Sequence, residues 1–315
     1  MPEFTINEVL NSILGCIDQQ GDYEIFSGVT TDSRDIKGGE LFFSLVGSKF
    51  DGHDFIYEAE NKGVYGIVIS REIEVKSLSS ALWVIRVNDT LEALQKLAHY
   101  NRKRWGTYLI AVTGSTGKTS TKDMIHSIFS EKMKTVKTHG NFNNEIGVPL
   151  TLLEIDKHHE ACVVELAMRA KGEIKKLAQI TEPDIGVITN IGESHIELLG
   201  SCQDIAEAKF ELIETLKDTG VSVLNGDCPY TFKMKHVVPG RSVIYGLNKP
   251  SEVKGSECKK LGKTGTQFTI NYGLRSFPVH IPVPGTHNVY NALAAAATAL
   301  SSGFDCNSII EGLKT

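Results

Sequence analysis

A glycine-rich loop offers the most specific chemistry in this chain. It follows an apolar run at residues 108–112 and precedes residues 118–129, whose apolar side chains recur at helical spacing. A loop between a strand and a helix can cradle phosphate groups with backbone N–H groups and the helix N-terminus. The residues predicted to contact a nucleotide here are Thr113, Gly114, Ser115, Thr116, Gly117, Lys118, Thr119 and Ser120.

Two side chains of this loop have defined tasks at a nucleoside triphosphate site. Lys118 would reach the β- and γ-phosphates, and the hydroxyl of Thr119 would ligate Mg²⁺. The usual G-x-x-x-x-G-K-[ST] pattern needs a glycine where this chain has Val112. The alternative is a turn that merely contains Gly-Lys-Thr, but the order of strand, loop and helix favours the nucleotide site.

The composition excludes several other classes of protein. With 315 residues, 41 % of them hydrophobic and 23 % charged, the chain is long enough for two globular domains. A net charge of −5 gives no basic field for nucleic acid. The six cysteines form no C-x-x-C pair, and the sequence contains neither a signal peptide nor an apolar run long enough to span a bilayer. We therefore predict a cytoplasmic protein that binds neither nucleic acid nor membrane.

The alternation of strand and helix patterns predicts an α/β fold with two domains. Residues 1–87 would form a small N-terminal domain, and residues 88–315 would form a larger one around the glycine-rich loop. Its sheet is expected to be mostly parallel and flanked by helices. Short β-type runs within residues 236–283 predict an antiparallel flap attached to that sheet, before a final alanine-rich helix near residues 287–301.

Polar residues follow several of the predicted strands. Ligands of open α/β sheets bind beyond the carboxyl ends of the strands, so Thr113, Glu165 and residues 190–195 should converge there. Glu165 would serve as a Mg²⁺ ligand or a charge partner, and the alternative is a glutamate that simply reaches water. For His195, a functional role and simple exposure are equally open.

Three further groups could carry chemistry. Lys209 lies at the margin of an apolar stripe in the helix predicted over residues 202–217; it is either a surface lysine or one with a lowered pKa and a reactive amine. Asn288 and Asn291 share a helix face and could bind a purine edge, although Asn288 could also be a helix cap. A polar segment, residues 138–147, is predicted to bind substrate through Asn141, Asn143 and Asn144.

Taken together, these motifs resemble the Mur ligase family of peptidoglycan precursor synthesis. The phosphate loop of that family is T-G-[ST]-x-G-K-T, which accounts for the missing glycine at Val112. The resemblance extends in the expected order over nearly the whole chain. It is carried by TDSRDIKGGELFFSLVGSKFDGHDF, TGSTGKTSTKDM, THGNFNNEIGVPLTLLE, ELAMRAKGEI, TNIGESHIELLGS, IAEAKFELIE, LNGD and PGTHNVYNALAAAA.

The resemblance implies a role for each candidate residue. Lys118, Lys209 and His195 would be catalytic. Two Mg²⁺ ions are implied: Thr119 and Glu165 would hold the first, and His195 would help to hold the second. Lys209 matches a lysine that is carbamylated in the family; the added carbon dioxide would give a carboxylate-like group near the metals, so Lys209 is implied as a further metal ligand. The resemblance places adenine near Asn288 and Asn291, uridine diphosphate near Ser33, Arg34, Ser48 and Lys49, and the muramoyl-peptide near Asn141, Asn143 and Asn144.

The implied activity is ADP-forming, ATP-dependent amide ligation in cell wall synthesis. The carboxylate of UDP-MurNAc-tripeptide would form an acyl phosphate, which the amine of D-alanyl-D-alanine then attacks. The alternatives are another Mur-type ligase, a folylpolyglutamate-type ligase, or a truncated module that only binds UDP-muramoyl-peptide. Family members carry a third, Rossmann-like C-terminal domain that this sequence lacks, so we expect this chain to ligate weakly or not at all. We also expect a monomer.

Overall fold

The computed structural model describes residues 1–194 and 196–314, apart from the side chain of Leu198. They form two compact units, the first of which comprises Met1–Trp105 together with Leu152–Lys157. The boundary predicted near residue 88 falls at the start of a helix, Thr90–Trp105. That helix packs within the first unit on another helix, Ile6–Ile13, so the units divide after Trp105 instead.

The first unit is a small α/β domain, as predicted. A capping box between Thr5 and Glu8 starts its first helix. Its main sheet has the order β2-β7-β6-β5-β4, in which β4 to β7 are parallel and β2 is antiparallel, while β1 pairs with β3. The elements are β1 (Phe4–Thr5), α1 (Ile6–Ile13), β2 (Cys16–Gln19), β3 (Ile25–Phe26), β4 (Val29–Thr30), β5 (Leu41–Phe43), α2 (Ile56–Asn61), β6 (Gly66–Ile69), β7 (Trp83–Arg86) and α3 (Thr90–Trp105).

The remaining elements belong to the second part of the chain, whose sheet has the order β16-β15-β14-β13-β12-β11-β8-β10-β9. They are β8 (Tyr108–Thr113), α4 (Lys118–Ser130), β9 (Thr135–Lys137), α5 (Gly147–Leu153), β10 (Ala161–Glu165), α6 (Glu173–Thr181), β11 (Ile185–Ile188), α7 (Ile196–Leu199), α8 (Cys202–Glu214), β12 (Val221–Asn225), α9 (Pro229–Met234), β13 (Arg241–Gly246), β14 (Val253–Lys260), β15 (Thr266–Tyr272), β16 (Arg275–Ile281), α10 (Thr286–Ser301) and α11 (Cys306–Gly312).

This larger sheet confirms the predicted α/β class with a mostly parallel sheet flanked by helices. Strand β15 pairs antiparallel with β14 on one side and with β16 on the other, as expected of a flap. The prediction was wrong for β13, which is parallel to β12. Helix α9 connects these two strands and returns the chain to the same end of the sheet, as a β-α-β crossover does.

The order β11-β8-β10 decides where polar side chains can meet. All three strands are parallel, so their carboxyl ends share one edge of the sheet, and all their residues except Tyr108 are buried. Helices α4 and α10 pack on each other, and the alanines of α10 permit that close approach. Among the described residues, no helix is long and apolar enough to cross a membrane.

Candidate functional site

The loop between β8 and α4 has a backbone that only glycine accommodates at two positions. Gly114 has a φ of +153° and Gly117 a φ of +79°. A Cβ atom on Gly114 would lie 1.8 Å from Oγ1 of Thr189, and one on Gly117 would lie 2.3 Å from Oδ1 of Asn291. Because α4 begins at Lys118, its free N–H groups face the end of this loop. The loop can therefore receive an anion.

Residues that follow β11 hold this loop in place. The hydroxyl of Thr189 donates to the carbonyl of Thr116 at 2.6 Å. The Asn190 side chain accepts from the Thr116 N–H at 3.0 Å and donates to the Thr116 hydroxyl at 2.9 Å. Its backbone carbonyl accepts from the Ser115 N–H at 3.0 Å. The sequence placed Asn190 near the site, but gave no role to Thr189.

Thr189 is itself fixed by two side chains, one from β12 and one from β13. Its carbonyl accepts a hydrogen bond from the hydroxyl of Tyr245 at 2.9 Å and another from the amide of Asn225 at 3.1 Å. Tyr245 is fully buried, and burial raises the pKa of its hydroxyl. Sequence reasoning missed Tyr245, because only the pairing of β12 with β13 brings it close to β11.

The Lys118 side chain folds back over the loop. Its Nζ donates to the carbonyl of Gly114 at 2.9 Å. Burial lowers the pKa of Lys118, and the negative charge of Glu165 partly opposes that shift. The ammonium group therefore lies where the sequence predicts that phosphates bind.

Glu165 ends β10 and is only 2 % exposed. Its Oε2 accepts from the hydroxyl of Thr119 at 2.8 Å, and its Oε1 accepts from the amide of Asn143 at 2.8 Å. Its backbone N–H donates to the hydroxyl of Thr138 at 3.0 Å. Glu165 is therefore not a strand-end side chain that simply reaches water. The amide of Asn143, predicted to face substrate, is engaged with this carboxylate.

The donor atoms of Thr119 and Glu165 suit Mg²⁺. They are a hydroxyl oxygen and a carboxylate oxygen, and Mg²⁺ prefers oxygen ligands. This ion typically takes one or two protein carboxylates and completes its coordination with water and phosphate oxygens. His195, another predicted metal ligand, lies outside the described residues.

Lys209 on α8 is a buried lysine, with 2 % of its surface exposed. Burial, together with the positive charge of Lys118, lowers the pKa of Lys209 to about 7. This geometry rules out the alternative of a surface lysine. It leaves an amine that is largely uncharged slightly above neutral pH, as nucleophilic chemistry requires.

The two asparagines of α10 lie on one face next to the loop. The Asn291 amide donates to Oδ1 of Asn288 at 3.2 Å, and its own Oδ1 lies close to Gly117. The Asn288 amide donates to the carbonyl of Pro284 at 2.9 Å, so it also holds the start of the helix. Asn288 and Ser120 also line one cavity, of about 480 Å³.

The predicted uridine diphosphate residues belong to the first unit. Ser33 and Arg34 line a cavity of about 460 Å³, together with three aromatic side chains, Phe42, Phe50 and Phe55. The guanidinium of Arg34 is exposed and forms an ion pair with Asp32 at 2.6 Å. This pair lowers the pKa of Asp32 to about 2.

The other two predicted residues of the first unit, Ser48 and Lys49, lie at the exposed tip of a hairpin. A hydrogen bond of 2.9 Å from the Gly47 N–H to the Phe50 carbonyl closes that hairpin. The structure thus places Ser33 and Arg34 at the cavity and the other two residues on a neighbouring loop.

The asparagine-rich segment has three different environments for its three asparagines. Asn143 bonds to Glu165, as described above. Oδ1 of Asn144 accepts from the Gly147 N–H at 2.9 Å and holds the turn that leads into α5. Asn141 is exposed and available to a ligand.

The fold and the loop define an α/β protein of the phosphate-loop class. Residues 112–299 match the model of the Mur ligase middle domain, and residues 25–102 match that of the Mur ligase family, catalytic domain. The chain therefore belongs to the Mur ligase family.

Three relatives illustrate the similarity. The UDP-N-acetylmuramoyl-tripeptide–D-alanyl-D-alanine ligase of Bacillus subtilis is 39 % identical over 98 % of this chain and 66 % of its own length. The crystal structure of MurF from Acinetobacter baumannii has a TM-score of 0.93 at 31 % identity, and the match covers 100 % of this chain and 68 % of that one. The crystal structure of the MurF ligase from Thermotoga maritima in complex with ADP has a TM-score of 0.79 at 27 % identity. That match covers 90 % of this chain and 65 % of the Thermotoga chain. The chain thus spans about two thirds of the length of the curated relatives that it matches.

Proposed function

We propose that this chain supplies the nucleotide-binding and UDP-sugar-binding parts of a ligase that adds D-alanyl-D-alanine to UDP-MurNAc-tripeptide at the expense of ATP. One observation carries the proposal. The buried carboxylate of Glu165 accepts from the Thr119 hydroxyl at the end of the phosphate loop, so the chain retains the groups that ATP chemistry needs. The 39 % identity to a relative with that name supports the choice of substrates.

The phosphate loop and Lys118 would bind the triphosphate of ATP. Backbone N–H groups at the start of α4 and the Lys118 ammonium would face the γ-phosphate. Negative charge spreads over the phosphate oxygens as the phosphoryl group transfers, and fixed positive charge stabilises that state. Asn288 and Asn291 would hold the adenine side of the nucleotide.

Thr119 and Glu165 would hold the first Mg²⁺ ion, and His195 would help to hold a second. When bound, Mg²⁺ neutralises phosphate charge. Lys209 would contribute a carbamate: its neutral amine attacks carbon dioxide, an N–C bond forms and one proton leaves. The lowered pKa of Lys209 supports this step, because only the uncharged amine is a nucleophile.

Two displacements would complete the reaction. The terminal carboxylate of the tripeptide attacks the γ-phosphorus and expels ADP, which gives an acyl phosphate. The amine of D-alanyl-D-alanine would then attack that carbonyl carbon: the C–N bond forms, the C–O bond to the phosphate breaks, inorganic phosphate leaves and the nitrogen loses a proton. Water must be kept out, since it would hydrolyse the acyl phosphate.

In the first unit, Ser33, Arg34, Ser48 and Lys49 would bind the uridine diphosphate, and the exposed charge of Arg34 suits its phosphates. The muramoyl-peptide would contact the loop that carries Asn141 and Asn144. We further propose that the protein is cytoplasmic and monomeric; its six scattered cysteines, which form no C-x-x-C pair, support a reducing compartment, and sedimentation would test the monomer.

Calorimetric titration tests the proposal. UDP-MurNAc-tripeptide is compared with UDP-MurNAc-dipeptide, UDP-MurNAc and a folate, and ATP–Mg²⁺ is titrated into wild type and Lys118→Ala. We expect the tripeptide to bind most tightly, and ATP binding to be lost in the variant. Preference for a folate or a shorter precursor would refute the substrate assignment. Tripeptide binding without any ATP binding would support the non-catalytic binding module instead.

A further inference from the structure

A second buried lysine, Lys122, has no role in the function proposed above. It lies on α4, four residues after Lys118 and three after Thr119, and only 2 % of it is exposed. Burying an ammonium group is expensive unless hydrogen bonds and charges compensate it. A lysine retained in such a place therefore needs a structural or functional reason.

The contacts of Lys122 connect α4 with the end of β9. Its Nζ donates to the backbone carbonyl of Thr138 at 2.8 Å. The same atom lies 3.4 Å from a carboxylate oxygen of Asp123, which also accepts from Lys137 at 2.7 Å. Lys122 thus fixes the first residue of the asparagine-rich segment to the helix that carries the phosphate-binding residues.

Thr138, whose carbonyl Lys122 holds, also contacts Glu165. It is fully buried, and its N–H donates to the carbonyl of Val163 on β10 at 3.0 Å. Its hydroxyl accepts from the N–H of Glu165 at 3.0 Å. The backbone of Glu165 is therefore held by the same residue whose carbonyl Lys122 holds.

The contacts close into a ring, because the Glu165 carboxylate returns to α4 through the hydroxyl of Thr119 at 2.8 Å. Thr119 and Lys122 are three residues apart on one helix, so the ring spans α4, the end of β9 and the end of β10. Asn143, on the segment that begins at Thr138, holds the second carboxylate oxygen at 2.8 Å.

We propose that Lys122 and Thr138 are positioning residues that fix the Glu165 carboxylate against Thr119, and so set the affinity for the divalent cation that accompanies the nucleotide. This inference rests on the proposed function, because it assumes that Thr119 and Glu165 meet that cation. Neither residue touches the reacting atoms. Replacing a residue that orients a metal ligand commonly weakens metal binding by about tenfold or more.

The experiment measures how strongly Mg²⁺ tightens nucleotide binding. ADP is titrated calorimetrically into the whole chain in EDTA and at a series of Mg²⁺ concentrations. The variants are Lys122→Met, which removes the donor, and Thr138→Val, which removes the hydroxyl acceptor at nearly constant shape. Thr138→Ser keeps that hydroxyl, and Lys137→Met removes the other lysine bound to Asp123.

We expect Lys122→Met and Thr138→Val to need about tenfold more Mg²⁺ than wild type to reach the same increase in ADP affinity. Their ADP affinity in EDTA should be unchanged. Thr138→Ser and Lys137→Met should resemble wild type. A purely structural role would weaken binding equally with and without Mg²⁺, and that result overturns the proposal. The proposal is also overturned if Lys137→Met needs about tenfold more Mg²⁺, because the charges around Asp123, and not the contact between Lys122 and Thr138, would then be responsible.

Three further outcomes are decisive. If Lys122→Met does not fold, Thr138→Val decides alone: an unchanged Mg²⁺ requirement in that variant refutes the positioning role. A wild-type chain that binds no nucleotide, with or without Mg²⁺, refutes the proposed function itself. A wild-type chain that responds to Mg²⁺ while both variants match it refutes only the inference about Lys122 and Thr138.

Discussion

Replacing Lys209 by methionine should change how stability depends on pH. Burial lowers the pKa of this lysine to about 7, with a smaller contribution from the charge of Lys118. In the unfolded chain a lysine titrates near pH ~10.4. Between these two values the unfolded state holds a proton that the folded state has lost, so stability rises as the pH increases. Methionine exchanges no proton, and the variant should lack this rise.

The two pKa values set the size of the effect. The free energy of unfolding changes by at most about 1.4 kcal/mol per pH unit for one proton. Between pH 7 and pH 9, wild type should gain about 2 kcal/mol relative to Lys209→Met, because the folded amine is half titrated at the lower end of that range. Below about pH 6 the two curves should run parallel, since both states of wild type then carry the proton.

Urea unfolding followed by circular dichroism measures this difference. The buffers contain EDTA and are free of carbon dioxide, so that neither a metal nor a carbamate contributes. An exposed lysine of α6, Lys176, provides the matched control, because Lys176→Met removes the same side chain from the surface. If wild type and Lys209→Met keep a constant difference from pH 7 to pH 9, burial does not hold this amine neutral and the argument for its reactivity fails.

Three other predictions concern the phosphate loop. Gly114→Ala should lose about 1–3 kcal/mol of stability and most of its ATP affinity, because the new methyl group meets Thr189 at 1.8 Å. Gly172→Ala, at a position with φ +89° and open space around it, is the control, and equal ATP binding by both variants would contradict the steric argument. Glu165→Gln keeps the shape of the side chain but removes its charge. In calorimetry, the increase in ADP affinity that Mg²⁺ produces should be about tenfold smaller, while the ADP affinity measured in EDTA should hardly change. Tyr245→Phe removes one hydrogen bond to the Thr189 carbonyl, so urea unfolding should show a loss of about 1 kcal/mol of stability. The variant should also bind ATP more weakly. Unchanged ATP affinity would show that Tyr245 does not support the loop.

Local patterns made part of the site predictable. The phosphate loop is contiguous in sequence, and its strand and helix signals lie directly beside it. The rule that parallel strands end at one edge placed Thr113, Glu165 and Asn190 together, and the structure brings Glu165 to Thr119 and Asn190 to Thr116. Their chemical roles stay predictions.

Contacts between distant segments were not predictable in the same way. Nothing near Lys122 in the sequence indicates that it meets Thr138, because that contact requires β9 to return beside α4. Tyr245 reaches the loop only through the pairing of β11, β12 and β13. The boundary after Trp105 depends on α3 packing against α1, which the helical pattern of α3 alone does not reveal.

The two outer strands of the larger sheet bear on the solubility of the protein. A strand at the edge of a sheet offers unpaired N–H and carbonyl groups, and another chain can extend the sheet there. Strand β9, at one edge, is only three residues long. Strand β16, at the other, contains Pro278, which has no N–H to donate. An incoming strand therefore finds few hydrogen-bond partners at the short β9 edge and one missing donor at the β16 edge, and both features disfavour edge-to-edge pairing.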